Sequence, residues 1–277
     1  MIVPNTSLEQ ALPDDPSKFY LRRPVERKKS RFKRFLAREC AQAVMGTIGA
    51  FLNSRNSKFY LADRPVSHFD FDSFPRFPEL FRDFVRGSAG NNRGDLARLY
   101  MLLLNIDRVL KEDIPGDFAE IGVYKGNTAR ILAEAARAGR RRLYLFDTFG
   151  GFDAADFGEG EPVSKSFRDT SLAAVKSFVG TESVDYVVGR FPDSLSQVEM
   201  PDRFAVVHLD CDLQKPTAAG LSYFYPRLSS GGLLILHDYS SGHWGGSAQA
   251  VDDFLKDKPE RPVLIPDKSG TAIVLKS

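Results

Sequence analysis

Two short stretches hold the densest polar chemistry in the chain: His208-Leu-Asp210-Cys-Asp212 and His237-Asp238-Tyr239. Each follows an apolar run. In extended chain, a side-chain period of two places His208, Asp210 and Asp212 on one side. If the two runs are adjacent parallel strands, Asp210 and Asp238 meet at their carboxyl ends. Two carboxylates at one point suit a hard divalent cation such as Mg2+, completed by water and substrate oxygens. The plainer alternative is that one acid caps a helix while another makes an ion pair. His237 or His243 could serve as a base or as a softer metal ligand. Cys211 has no nucleophile-like context and reads as a small buried residue.

A second group surrounds Glu120-Ile-Gly122-Val123-Tyr124-Lys-Gly126-Asn-Thr128. Glycines where a strand turns into a helix let backbone approach a ligand, and the helix start offers free N–H groups. The spacing is E-x-G-x-x-x-G, whereas a pyrophosphate site wants G-x-G-x-x-G. One acid and two glycines suit a cationic amino-acid ligand better. Asp147 ends the next apolar run, where an acid either accepts from ribose hydroxyls or caps the following loop. Gly189-Arg-Phe191-Pro-Asp193 follows a third run and could close over an adenine.

The elements that must position these residues alternate. Strands are expected at Phe118–Val123, Leu143–Phe146, Val184–Val188, Phe204–Leu209 and Leu233–Leu236, then at Val263–Ile265 and Ala272–Leu275. Helical patterns cover Thr128–Ala138, Ser171–Phe178, Ala218–Leu228 and Ala248–Leu255. Before them, Leu96, Leu99, Leu102, Leu103, Ile106 and Leu110 share one helical face behind a cap at Asp95. Alternating elements predict a mainly parallel, doubly wound sheet with helices on both faces. Six residues separate the last two strands, too few for a helical crossover, so they should form an antiparallel hairpin. Ligands of such sheets bind at the carboxyl edge, where all the polar groups above fall. The lone Trp244, in the Gly-rich SSGHWGGS, either covers that edge or anchors its own loop.

Charge divides the chain. Residues 1–60 carry 12 Lys and Arg against 5 Asp and Glu, while the remainder carries 26 against 31. A nucleic-acid binder would spread positive charge over its folded body, so nucleic acid is not expected as a partner. Residues 22–52 join a basic block to an apolar stretch, which suits either a peripheral membrane or protein contact, or packing on the main domain. The pentapeptide SKFYL occurs at Ser17–Leu21 and again at Ser57–Leu61; two copies are too few for a repeat architecture. We expect a partly helical N-terminal extension, residues 1–94, serving as acceptor lid, homo-oligomer contact or surface contact, and a catalytic domain at 95–277. Two cysteines make no disulfide framework, and the first residues have no basic-then-apolar leader pattern. A cytoplasmic chain, peripheral to the membrane at most, is expected.

Five strands with helical crossovers, a further helix and a closing hairpin give a strand pattern similar to class I S-adenosylmethionine-dependent methyltransferases, a Rossmann-like α/β fold. The motifs GDFAEIGVYKGNTA, LYLFDTFGGF, VVGRFPDSL, VHLDCDLQKPT and GGLLILHDY resemble, in order and spacing, the macrocin O-methyltransferase family. The resemblance covers about 95–277. It implies S-adenosylmethionine as methyl donor, Mg2+ as helper, and a sugar or other small hydroxyl-rich acceptor in a glycan or natural product. Carried onto this chain, the methyl donor would be held by Glu120, Gly122, Val123, Tyr124, Gly126 and Thr128 of the first turn. Asp147, Thr148 and Phe149 would contribute from the second, Gly189, Phe191 and Asp193 from the third, and Asp210 from the fourth. Asp210 would be metal ligand and general base, with His237 and Asp238 beside it as ligands and His237 as an alternative base. The family pattern carries an acid where His237 stands and often an aromatic where Gln214 stands. The first departure removes a hard oxygen ligand; the second points to a different acceptor. Two other functions compete: a metal-dependent hydrolase built on the same His and Asp cluster, and a non-catalytic binding module on this fold.

Overall fold

The computed structural model describes residues 74, 76–86, 95–158, 160–161, 163–242 and 244–277. The expectations for residues 22–52, for the SKFYL pair and for His243 lie outside these. The compact unit that carries the sheet runs from Asp70 to Ser277. Among the described residues no helix is long and apolar enough to cross a membrane.

Seven strands form one sheet: β1 Asp117–Ile121, β2 Leu143–Asp147, β3 Val184–Val188, β4 Phe204–Leu209, β5 Leu228–Leu236, β6 Val263–Leu264 and β7 Ala272–Leu275. Their order is β3-β2-β1-β4-β5-β7-β6, parallel from β3 to β5, with β7 antiparallel to both β5 and β6. The helices are α1 Phe77–Arg86, α2 Leu96–Lys111, α3 Asn127–Ala138, α4 Leu172–Val179, α5 Gln214–Phe224 and α6 Gly245–Leu255. The order switches direction between β1 and β4, which opens the crevice where such sheets bind ligands. Register there places Glu120 of β1 beside His208 of β4.

β4 is buried along its whole length, as a strand covered on both faces must be. Its neighbours supply an aromatic core in which Phe224 lies edge-on to Phe204 at 5.0 Å and stacks on Phe191 at 5.8 Å. α2 begins where the Asp95 side chain accepts from the Arg98 N–H. Its face of Leu99, Leu102, Leu103 and Ile106 is fully buried. α1 adds Phe77, Leu80, Phe81 and Phe84, all buried.

Several boundaries differ from the sequence-based expectation, and α6 begins at Gly245 rather than Ala248. β1 stops at Ile121 rather than Val123, because Gly122 turns to φ +86°. α5 runs Gln214–Phe224, not Ala218–Leu228. Pro216 sits in its first turn, where no N–H is needed, and Pro226 forces a tight 3-10 turn after Phe224. β5 begins at Leu228, five residues early, because Gly231 and Gly232 lie inside the strand at a register shift against β4.

Candidate active site

The carboxyl edge of β1, β2, β3 and β4 surrounds a cleft with roughly 890 Å3 of empty volume, part of it open to solvent. Gly122 makes the turn after β1. A Cβ there would stand 1.9 Å from the Asp210 carbonyl oxygen, so strands β1 and β4 approach too closely for any other residue. Gly126, at φ +86°, starts α3 without a side-chain cap, and the first two residues of the helix, Asn127 and Thr128, line the cleft.

Asp147 ties the turn together. Its Oδ2 accepts from the Val123 and Tyr124 amides at 2.7 and 2.9 Å, and its Oδ1 accepts from the Phe149 amide at 2.6 Å. Three of about four acceptor positions on the carboxylate are therefore used by backbone. The loop after β2 is fastened to the same turn, since Asp169 accepts from the Tyr124 hydroxyl at 2.6 Å and pairs with Lys125 at 2.5 Å.

Of the expected methyl-donor residues, Glu120, Gly122, Val123, Tyr124, Thr128, Asp147, Thr148, Gly189, Phe191 and Asp210 line the cleft. Gly126 shapes it as the cap of α3. Phe149 and Asp193 stand apart from it. Phe149 is buried and serves by its amide, while the Asp193 carboxylate is exposed and paired with Arg190 at 2.7 Å. Residues that sequence reasoning passed over also line the cleft: Phe152, Asp156, Phe167 and Arg190. Phe152 meets Phe167 at 5.2 Å, Phe157 at 5.7 Å and Trp244 at 5.5 Å. Trp244 thus backs an aromatic wall of the cleft.

Behind the cleft lies a buried polar network. His208 Nδ1 is 2.8 Å from Glu120 Oε1, and His237 Nδ1 is 2.7 Å from both Asp210 Oδ1 and Asp238 Oδ2. Joining them is Arg98, which no sequence argument singled out. It enters from α2 fully buried, with Nη2 donating to Asp210 Oδ2 at 2.7 Å. Its Nη1 is 2.7 Å from His237 Nε2 and its Nη2 is 3.3 Å from His208 Nε2. The available signal was its place on α2: Arg98 begins the i, i+4, i+8 row continued by Leu102 and Ile106, both buried.

A guanidinium only donates, so both Nε2 atoms must accept and both rings carry their proton on Nδ1. For His208 this agrees with burial, which outweighs Asp210 and, with Arg98, holds its pKa down to about 3. For His237, burial and Arg98 oppose protonation while Asp210 and Asp238 favour it more strongly. A protonated ring, however, would set two N–H groups face to face at the Arg98 contact, and that contact decides for the neutral ring. Burial drives the pKa of Glu120 well above the usual carboxylate range, with Asp210 adding to it. Burial likewise raises Asp212, helped by Asp238 and Asp210. Asp210 goes the other way: burial is overcome by the hydrogen bond from His237 and by the charge of Arg98, which hold it well below the usual range.

Glu120 Oε2 is buried, has no hydrogen-bond partner, and belongs to a residue at the cleft wall. Such an orphaned acceptor fits the ammonium group of an amino-acid ligand. A divalent cation fits less well. One oxygen or nitrogen from each of Asp210, His237 and Asp238 does fall within 4.8 Å of the others. Yet His237 Nδ1 is already bonded to both carboxylates, and the second Asp210 oxygen is taken by a fixed cation. As arranged here, the three residues do not fit Mg2+.

A family model described as macrocin-O-methyltransferase (TylF) matches residues 94–271. The chain belongs to this family. It is accordingly a methyltransferase that uses S-adenosylmethionine. It is 29% identical over 195 residues to the 8-demethyl-8-(2,3-dimethoxy-alpha-L-rhamnosyl)-tetracenomycin-C 4'-O-methyltransferase of Streptomyces olivaceus, covering 64% of this chain and 74% of that protein. To the mycinamicin III 3''-O-methyltransferase of Micromonospora griseorubida it is 30% identical, covering 52% of this chain and 63% of the relative. With the demethyldecarbamoylnovobiocin O-methyltransferase of Streptomyces niveus it shares 29% identity, over 52% of this chain and 60% of that protein. Among solved structures, the O-methyltransferase NovP superposes with a TM-score of 0.59 at 22% identity, over 86% of this chain and 99% of that one. A calicheamicin methyltransferase gives 0.53 at 20% identity, over 78% and 99%. These two establish the seven-stranded fold.

Proposed function

We propose that the chain methylates a hydroxyl of a sugar, or of another small hydroxyl-rich natural product, with Asp210 as the group that takes the proton. The observation that carries this reading is the position of Asp210. It stands at the end of β4, lines the cleft, and keeps 17% of its side chain exposed within an otherwise buried network. The names of the three curated relatives support the acceptor class, since two carry sugar-position numbering and all three are natural-product enzymes.

In this reading Glu120 Oε2 receives the ammonium of the methyl donor and the fourth acceptor position of Asp147 receives a ribose hydroxyl. Gly189 and Phe191 border the adenine. Methyl transfer needs the acceptor oxygen about 3 Å from the methyl carbon and in line with the bond that breaks. The C–S bond breaks as the C–O bond forms, and the sulfonium leaves as a neutral thioether. The hydroxyl proton passes to Asp210. Arg98 and the His237 Nδ1–H hold the carboxylate so that its oxygens address the cleft. A carboxylate with a lowered pKa is a weak base, so proton transfer must accompany attack rather than precede it. The aromatic wall of Phe152, Phe167 and Trp244 offers an apolar platform for the C–H face of a sugar. The Mg2+ assistance implied by the family resemblance has no part here, and family membership leaves the hydrolase alternative without support.

Deuteromethyl transfer to a panel of glycosylated acceptors, followed by mass spectrometry, tests the assignment. Asp210→Asn should lower turnover by about 10^2–10^4-fold and leave S-adenosylhomocysteine affinity nearly unchanged. Undiminished turnover in that variant would remove Asp210 from the role.

A further inference from the structure

His237 Nδ1 lies 2.7 Å from Asp210 Oδ1 and 2.7 Å from Asp238 Oδ2. A Mg2+ ion shared by those carboxylates would need oxygens at about 2.0–2.1 Å, which puts it where the N–H of His237 already stands. The remaining Asp210 oxygen is held by Arg98, whose fully buried guanidinium cannot lose its charge. The other nitrogen of the fork holds His237 Nε2 at 2.7 Å, which keeps the ring proton on Nδ1, between the two carboxylates. The arrangement is therefore self-consistent without an added ion: both terminal nitrogens of the fork meet acceptors, and the ring proton meets both acids. A dication brought to this point would displace the bridging N–H and lie beside a fixed positive charge.

We infer that Arg98 and His237 together replace a divalent cation in this chain, so that methyl transfer proceeds without bound metal and Arg98 acts as a positioning residue. This rests on the methyl-transfer reading above and deepens it. The Nδ1–H bridge sets the separation of Asp210 and Asp238. Arg98 fixes the bridge by fixing the tautomer, and supplies the positive charge that steadies Asp210 as it faces the acceptor.

Electron paramagnetic resonance of Mn2+ titrated into the full-length, chelator-treated protein tests this, with and without S-adenosylhomocysteine. The expected result is a free-ion signal undiminished by equimolar protein in both cases. Loss of one equivalent of free Mn2+ would overturn the inference. His237→Asp removes the bridge and adds a hard oxygen, and should bind Mn2+ at least tenfold more tightly than the parent. A folded His237→Asp variant with no gain would show that the bridge is not what excludes metal, and would also overturn it. Retained S-adenosylhomocysteine binding serves as the folding control. Should that variant fail to fold, the 15N shifts of His237 in the parent and in Arg98→Gln decide. Nδ1 protonated and Nε2 bare in the parent, with that tautomer lost in the variant, is expected; an Nε2–H tautomer in the parent refutes the positioning role. If the parent binds neither S-adenosylhomocysteine nor Mn2+, the methyl-transfer reading fails rather than the metal-free one.

Discussion

Replacing Arg98 with Met removes the charge from the centre of the network while keeping most of the apolar stem. Three contacts go at once: Asp210 Oδ2 at 2.7 Å, His237 Nε2 at 2.7 Å and His208 Nε2 at 3.3 Å. Breaking a buried ion pair from one side costs about 3–5 kcal/mol, because the surviving charge stays buried. Asp210 keeps 17% exposure and its contact with His237, which puts the loss near the lower end, about 3 kcal/mol. With a urea slope of about 2–3 kcal/mol/M, the midpoint should fall by about 1–1.5 M at neutral pH. The pH dependence has a definite sign. Asp210 is held below its ordinary value of 3.8, so its stabilising effect is present above that value and is lost as pH falls through the lower folded value. The gap between parent and Arg98→Met should therefore narrow in acid. Equilibrium urea unfolding by circular dichroism measures both effects. A neutral-pH loss under about 1 kcal/mol, at the level of an exposed ion pair, would refute the buried-pair argument.

Asp147→Ala should weaken S-adenosylhomocysteine binding by about 1–3 kcal/mol, the cost of unpaired polar groups; an unchanged dissociation constant by calorimetry would exclude the ribose role. Gly122→Ala should destabilise by more than about 3 kcal/mol, since its φ of +86° and a Cβ 1.9 Å from the Asp210 carbonyl compound each other; a near-normal melt would contradict the close approach of β1 and β4. His208 refuses a proton until about pH 3, whereas the unfolded side chain takes one near 6.5, so its contribution to stability is complete above 6.5 and is lost as pH falls toward 3. Glu120, with a raised pKa, acts in the opposite sense, so comparison with His208→Gln isolates the histidine; equal acid slopes in parent and variant would contradict its burial as a neutral ring.

Much of this architecture is legible in the sequence because it rests on local signals. Apolar runs ending in Glu120, Asp147 and Asp210 mark strands whose carboxyl ends converge, and the six-residue link before Ala272 admits only a hairpin. Gly122 and Gly126 mark turns that need positive φ. What the sequence hides is set by distance along the chain or by loop conformation. Arg98 and Asp210 are 112 residues apart, and the arginine sits among apolar helix positions where a charge reads as an exposed edge. Asp147 was expected to face a ribose or to cap its own loop; three backbone amides reach it, two from a turn more than twenty residues earlier. Phe152 and Phe167 belong to a long loop without periodicity, and only folding brings them against Trp244. Asp210, His237 and Asp238 did converge as their strand positions required, but the sequence carried no sign that a guanidinium already bonds two of them.

Calorimetric titration of the chelator-treated, full-length chain with S-adenosylmethionine bears most directly on the account. One site per chain, filled without added metal and weakened in Asp147→Ala, is the predicted result. No binding at millimolar S-adenosylmethionine would contradict it.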